Sequence, residues 1–135
     1  MPEDPAPIVG SAVSGALSLD VNTHFISYGA DVWGAGSEWE DTIFNPLLEL
    51  TWALPNDMTL SLGTWWDVND NATSSIANRI QEIDVWVGLG FNVGPVAATV
   101  LYQAWMYAGD TEQIVDLILG IDAPFAPSLT LHGRV

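Results

Sequence analysis

The chain has no cysteine, which excludes disulfide bonds, thiolate zinc sites, iron–sulfur clusters and cysteine nucleophiles. It also has no lysine. Only Arg79 and Arg134 are available to balance 17 acidic residues, so the net charge is −15. Nucleic acids and anionic membrane surfaces are both bound by clustered basic side chains. We therefore expect no nucleic-acid partner. Uninterrupted apolar runs fall far short of the ~20 residues that a membrane-spanning helix requires.

What the chain does contain is typical of a folded protein. Apolar residues make up 49% of it and charged residues only 14%, which argues against disorder driven by charge. Residues 1–10 are acidic and proline-rich, and we interpret them as a flexible leader. Residues 11–135 are predicted to form a single domain, in keeping with the usual length of one domain.

Strict alternation of apolar and polar residues recurs along this domain and predicts an all-β fold. In Val96–Tyr107 the pattern is ambiguous, because Leu101 and Trp105 share a parity with Thr99 and Gln103. The alternating runs are Ser11–Ser27, Thr42–Leu54, Met58–Val68, Glu82–Val93, Val96–Tyr107, Ile114–Asp122 and Ser128–Val135.

The breaks between the runs predict an antiparallel up-and-down meander. Pro55–Asp57, Gly94–Pro95 and Ala123–Pro127 carry turn residues and are short. The intervening breaks, Tyr28–Asp41, Asn69–Gln81 and Ala108–Gln113, are longer. Short turns are therefore expected at one rim of the sheet and long loops at the other.

Such a meander fits either a soluble barrel with its apolar face inward or an outer-membrane barrel with that face toward lipid. Several runs have the ~9–11 residues with which a strand crosses a bilayer. Aromatic residues gather at both ends of the runs, as in the interfacial girdles of membrane barrels: Trp52, Phe91, Phe25, Phe44 and Trp66. The expected outward face consists of Leu17, Leu19, Leu48, Leu50, Leu60, Leu62, Val85, Val87, Leu89, Leu117 and Leu119.

The number of candidate strands is odd, whereas bacterial single-chain barrels have an even number. An open sheet edge cannot face lipid, because its backbone groups would remain without partners. We therefore expect a partial barrel, completed either by missing strands or by further copies of the chain.

Several segments, in this order, resemble the N-terminal part of the TorF-like porins, a family of bacterial outer-membrane β-barrel proteins. The resemblance spans roughly residues 11–135 and rests on diffuse motifs. It implies an outer-membrane location and passage of small solutes, and it implies no catalytic residues. The first loop lacks the arginine that is common in these proteins. The segments are His24–Gly36, Asn45–Leu50, Leu62–Asp67, Glu82–Asp84, and Tyr102–Tyr107 with Asp110 and Glu112 beyond it.

Acidic residues are prominent at the polar positions of the alternating runs, and in a barrel they would line the lumen. Rings of carboxylates favour cations and repel anions, so they predict a cation-preferring pore. In a soluble fold the same residues would merely keep a polar surface hydrated. The candidate lumen-lining acids are Asp20, Glu49, Asp67, Glu82, Asp84, Asp116 and Asp122.

The first long loop carries Trp33 and Trp39 among carboxylates. Such a loop aromatic cluster either stacks on sugars and holds cations, or folds down on the rim of the barrel. Asp67, Asn69 and Asn71 have the alternate spacing of oxygen ligands for Ca²⁺. The loop lacks the glycine and glutamate of an EF-hand, and an Asn/Asp-rich turn explains it equally.

We find no catalytic motif and predict neither enzyme activity nor a cofactor. The resulting prediction is an outer-membrane β-barrel that passes small solutes with cation preference, with the lipid bilayer as its main partner. The first alternative is a soluble all-β barrel that binds a small apolar ligand or a sugar. The second is a structural protein whose open sheet edges pair between copies.

Overall fold

A computed structural model describes residues 12–27, 29–32, 42–70, 75–121 and 129–134 of the chain, the last range as backbone only. This part of the chain consists of β-strands and their connections. The strands are β1 (Val13–Asn22), β2 (Ile26–Ser27), β3 (Ala30–Asp31), β4 (Ile43–Leu54), β5 (Met58–Val68), β6 (Ile80–Val93), β7 (Val96–Tyr107), β8 (Asp110–Ile121) and β9 (Leu129–Arg134).

The strands form a seven-stranded sheet in the order β1-β4-β5-β6-β7-β8-β9 and a small β2-β3 hairpin. Every pairing is antiparallel, which confirms the predicted all-β meander. Within the described residues the outer edges of β1 and β9 do not pair, so the sheet is open. No helix in the described ranges is long and apolar enough to cross a membrane.

The prediction of a long loop over Ala108–Gln113 is wrong. Gly109 adopts a φ of 87°, which allows a two-residue turn, and Tyr107 pairs directly with Asp110. Strand β8 therefore begins at Asp110 instead of Ile114, and it gains Glu112 on its polar side. The β7–β8 connection is short although it lies at the rim where long loops were expected.

The other turns agree with the sequence. Asn56 and Asp57 have φ values of 61° and 57°, a left-handed conformation that these short polar side chains tolerate. Gly94 has a φ of 59° in the two-residue turn between Val93 and Val96. The predicted turn at Ala123–Pro127 and the predicted leader at residues 1–10 lie outside the described residues.

Cross-strand register assigns every alternating residue of the sheet to one of two faces, because paired residues point to the same side. The apolar face carries the whole predicted outward set, with Leu50, Leu62 and Val87 in one row. The polar face carries Glu49, Gly63 and Trp86 in another row. In β7, Leu101 and Trp105 belong to the polar face, which resolves the ambiguity of that strand.

Burial on this sheet differs from that in a soluble protein, although Ile43 and Ile114 are fully buried on the polar face. Large apolar side chains are open, with 69% of Leu17 and 51% of Leu62 exposed. Among the buried residues are Asp67, which is 0% exposed, and Asp116, which is 5% exposed. Strand contacts in the described part run only between neighbouring strands, so that no second sheet packs on either face there.

Candidate functional site

The polar face collects six of the seven predicted lumen acids. Register places Asp20 beside Asn45, Glu49 beside Gly63 and Asp67 beside Glu82. Asp84 lies beside Trp105, and Asp116 lies beside Leu101. The seventh acid, Asp122, lies outside the described residues. The structure therefore places on one surface most of the acids that strand alternation had assigned to one face.

Asp67 is the centre of a buried amide–carboxylate network near the β5–β6 end of the sheet. Its Oδ1 accepts hydrogen bonds from Asn69 Nδ2 at 2.7 Å and from Asn45 Nδ2 at 3.3 Å. Asn22 Nδ2 donates to Asn45 Oδ1 at 3.0 Å, which extends the network to β1. These bonds compensate the desolvation of a carboxyl group that would otherwise be costly to bury.

A β-bulge beside this network changes where β6 begins. Asp67 pairs with Glu82 and Val68 pairs with Ile80, so that Gln81 is an extra residue on β6. Gln81 is buried and its Nε2 donates to the Asn69 carbonyl oxygen at 2.5 Å. The sequence pattern began this run at Glu82, because a bulge breaks the alternation by which a strand is recognised.

Glu82 and Asp84 form a second carboxyl cluster on β6. The Glu82 side chain hydrogen-bonds with Asp84 and with Tyr107. Together with Tyr107 they line one small cavity of the polar face.

Glu49 and Trp86 meet in the middle of the sheet. Trp86 Nε1 donates to Glu49 Oε2 at 2.7 Å. The indole ring lies over Gly63, where an added Cβ would clash with its atoms. The indole therefore lies across the neighbouring strand and adds an aromatic surface to the polar face, which also carries Trp65, Leu101 and Trp105.

Asp116 is held by a polar chain on the adjoining strands. Gln103 Nε2 donates to Asp116 Oδ2 at 2.6 Å, and Trp105 Nε1 lies 3.4 Å from Gln103 Oε1. Asp20 at the β1 edge is exposed and accepts a hydrogen bond from Ser18 at 2.6 Å. No lysine or arginine side chain that the structure describes lies on this face; Arg79 pairs with Asp70 in a loop.

The β2-β3 hairpin folds over the polar face. Phe25 packs on Trp65 with 4.9 Å between the ring centroids. Phe25, Ser27 and Val32 enclose a cavity of about 100 Å³ together with Glu82, Asp84, Trp105 and Tyr107 of the sheet. The expectation that Phe25 belongs to an outward aromatic girdle is wrong, because β1 ends at Asn22 and the chain turns inward. Trp52, Phe91, Phe44 and Trp66 do lie on the apolar face near the strand ends.

We expect Phe25→Ala to release this hairpin without unfolding the sheet, because an aromatic pair contributes only about 0.5–1.5 kcal/mol beyond its burial. The measurement is hydrogen exchange at the Val32 amide, which donates to the Phe25 carbonyl oxygen at 2.8 Å. Exchange should accelerate about tenfold for a loss near 1.4 kcal/mol. The control is Ile26→Ala, since Ile26 is 60% exposed. Equal acceleration in both variants would contradict the packing role of Phe25.

The described residues give no support to the predicted Ca²⁺ site. Asn69 meets Asp67 through its amide nitrogen, which is a hydrogen-bond donor and not a Ca²⁺ ligand. In the described ranges no group of three or more His, Asp or Glu side chains could hold a metal ion. Asn71, Trp33 and Trp39 lie outside the described residues.

Sequence reasoning did not single out Trp86, Gln103 and Asn45 as parts of the site. Trp86 shares the parity of Asp84 and Gly88, which was the available signal for placing it on the polar face. Its position over Gly63 depends on the register between two strands and could not be read from one of them.

The chain matches no model of a known protein family, and neither the curated proteins nor the solved structures include a significant match.

Proposed function

We propose that this chain forms part of a bacterial outer-membrane β-barrel whose apolar face contacts lipid and whose polar face lines a solute pathway. The observation that carries the proposal is the burial pattern of the sheet, with exposed leucines and valines and buried carboxyl and amide groups. Outward apolar and inward polar residues are the arrangement of membrane barrels.

The size and chemistry of the exposed face support lipid as its neighbour. Leu17, Leu62 and Ile121 are each more than half exposed, although they lie on strands at different places in the sheet. Exposed apolar patches above a few hundred Å² are rare on soluble monomers. Lipid contact would remove this face from water without a second protein layer.

Strand length and aromatic placement agree with a bilayer. Strands β4 to β8 have 11 to 14 residues, compared with the ~9–11 that cross a membrane. On the apolar face, Trp52 and Phe91 lie near one rim, and Phe44 and Trp66 lie near the other. Aromatic side chains at both interfaces anchor such barrels.

The strand directions restrict how the barrel closes. Because each strand of the seven-stranded sheet is antiparallel to the next, β1 and β9 run in the same direction. An antiparallel closure therefore needs an odd number of additional strands between them, which makes the total even. Further strands fit this requirement, whereas direct pairing of β9 with β1 of another copy would be parallel.

The first experiment compares the chain with and without detergent, by circular dichroism and by size exclusion with light scattering. We expect β-structure in detergent or lipid and aggregation in buffer. A compact β monomer in buffer would overturn the proposal, because the apolar face would then form an internal core. Oligomers of fixed size in buffer would instead favour a self-assembling sheet protein.

Conductance of the completed barrel in planar bilayers tests the solute pathway, with cation preference expected from the acidic polar face. Glu49→Gln keeps the acceptor for Trp86 but removes a charge, so the reversal potential in a salt gradient should move toward zero. The matched control is Asp57→Asn, since Asp57 lies in the β4–β5 turn and not on the polar face. Anion preference, or equal shifts in both variants, would contradict the assignment.

A further inference from the structure

The middle of the polar face contains a concavity of about 490 Å³ that spans strands β4 to β8. This volume lies within the range of ~300–1,000 Å³ that is common for small-molecule sites. Its lining includes Glu49, Thr59, Ser61, Trp86, Thr99 and Gln103. Neutral hydrogen-bonding groups outnumber charged ones, and one large aromatic ring stands among them.

Glycines hold the floor of this concavity open. A Cβ at Gly88 would clash with the Ser61 hydroxyl, and a Cβ at Gly90 would clash with the Thr59 hydroxyl. The two hydroxyl groups therefore occupy the space above the glycine backbone, and side chains at residues 88 and 90 would displace them. The result is a row of hydroxyl groups beside the indole of Trp86.

Trp86 is fixed in place by its neighbours. One carboxylate oxygen of Glu49 accepts its Nε1–H, and the missing side chain of Gly63 leaves room for the ring. A rigid aromatic ring can contact the apolar C–H face of a flat ligand at little cost in conformational entropy. The surrounding hydroxyl, amide and carboxylate groups can bond to hydroxyl groups at the ligand's edge.

We propose that this concavity binds a neutral oligosaccharide, with one pyranose ring stacked on Trp86 beside Ser61 and a second ring extending along the strands to the hydroxyl groups of Thr59 and Thr99. The inference deepens the proposed function, since it names the solute class for the same polar face. A pyranose ring with equatorial hydroxyl groups has both the flat C–H face and the polar edge that this surface requires.

The test uses cellobiose as the probe and the folded chain in a zwitterionic detergent, because glycoside detergents would compete. Indole N–H signals of the seven tryptophans are followed by NMR, and that of Trp86 is identified by its loss in Trp86→Phe. We expect the Trp86 signal to shift with a dissociation constant of about millimolar order. Trp52 and Trp66, on the apolar face, should not respond.

Paired variants separate the site from the fold. Binding to the variants is measured by isothermal titration calorimetry, because Trp86→Leu removes the indole signal, and this variant should weaken binding about tenfold or more. Thr99→Val removes a hydroxyl group of the concavity at constant shape and should weaken binding, whereas Thr64→Val on the apolar face should not. Equal effects of the two threonine variants would overturn the proposal.

A cationic probe completes the comparison. If putrescine shifts the Trp86 signal and cellobiose does not, the surface is an organic-cation site and the sugar proposal fails. If neither probe shifts it, the proposal also fails. Binding in micelles is measured independently of conductance. A cellobiose-dependent shift in a chain that forms no pore would therefore overturn the proposed solute pathway but not the proposed sugar site.

Discussion

Leu62→Arg should strongly destabilise the chain in lipid vesicles, by about 2–4 kcal/mol, which is the cost of arginine near the middle of a bilayer. Leu62 lies at the centre of β5 on the apolar face, between Leu50 and Val87. The charged side chain would replace an apolar one in contact with hydrocarbon. The measurement is the urea midpoint of unfolding from vesicles, followed by tryptophan fluorescence and circular dichroism.

Two matched variants define what this result means. Ser61→Arg places the same side chain on the preceding residue, which faces the polar concavity, and its cost should be clearly smaller. Met58→Arg also places an arginine on the apolar face, but at the end of β5, where the expected cost falls to about 0–1 kcal/mol. If all three variants cost the same, the apolar face does not contact lipid.

The second large effect is expected from Gly63→Ala, although it adds only one methyl group. The new Cβ would occupy the space of the Trp86 indole, which cannot shift without losing its hydrogen bond to Glu49. Overpacking of this kind costs about 1–3 kcal/mol. The free energy of unfolding in detergent should fall by this amount, and near-ultraviolet circular dichroism should report a displaced tryptophan.

Gly120→Ala is the control for backbone effects. Gly120 also lies within a strand, but an added Cβ there would meet no atom within 4 Å. Alanine lowers the entropy of the unfolded chain relative to glycine, so this variant should be neutral or slightly stabilising. Similar destabilisation by both substitutions would show that the contact between Gly63 and Trp86 does not determine the effect.

The sequence predicted the strands well because alternation and turn chemistry are local. The bounds of β5 and β7 agree with the predicted runs, and Gly94 lies where a left-handed turn residue was needed. The misplaced boundaries have particular causes. A two-residue turn at Gly109 extended β8, and the bulge at Gln81 concealed the start of β6.

The candidate site was only partly predictable. Parity placed Glu49, Asp67 and Asp116 on one face, since a strand alternates its side chains regardless of its partners. It could not identify which groups bond to each other. Asn45 reaches Asp67 from a different strand, and Gln103 reaches Asp116 from another.

By itself, the sequence determined the two faces of the sheet, their opposite polarity and the absence of cations to balance the acids, because period-two alternation is a property of each strand. Only the tertiary structure decided that Trp86 covers Gly63, that Phe25 turns inward onto Trp65, and that Asp67 and Asp116 are buried while Leu17 and Leu62 are exposed. These features depend on the register between strands distant in sequence, and register is set by pairing across the whole sheet.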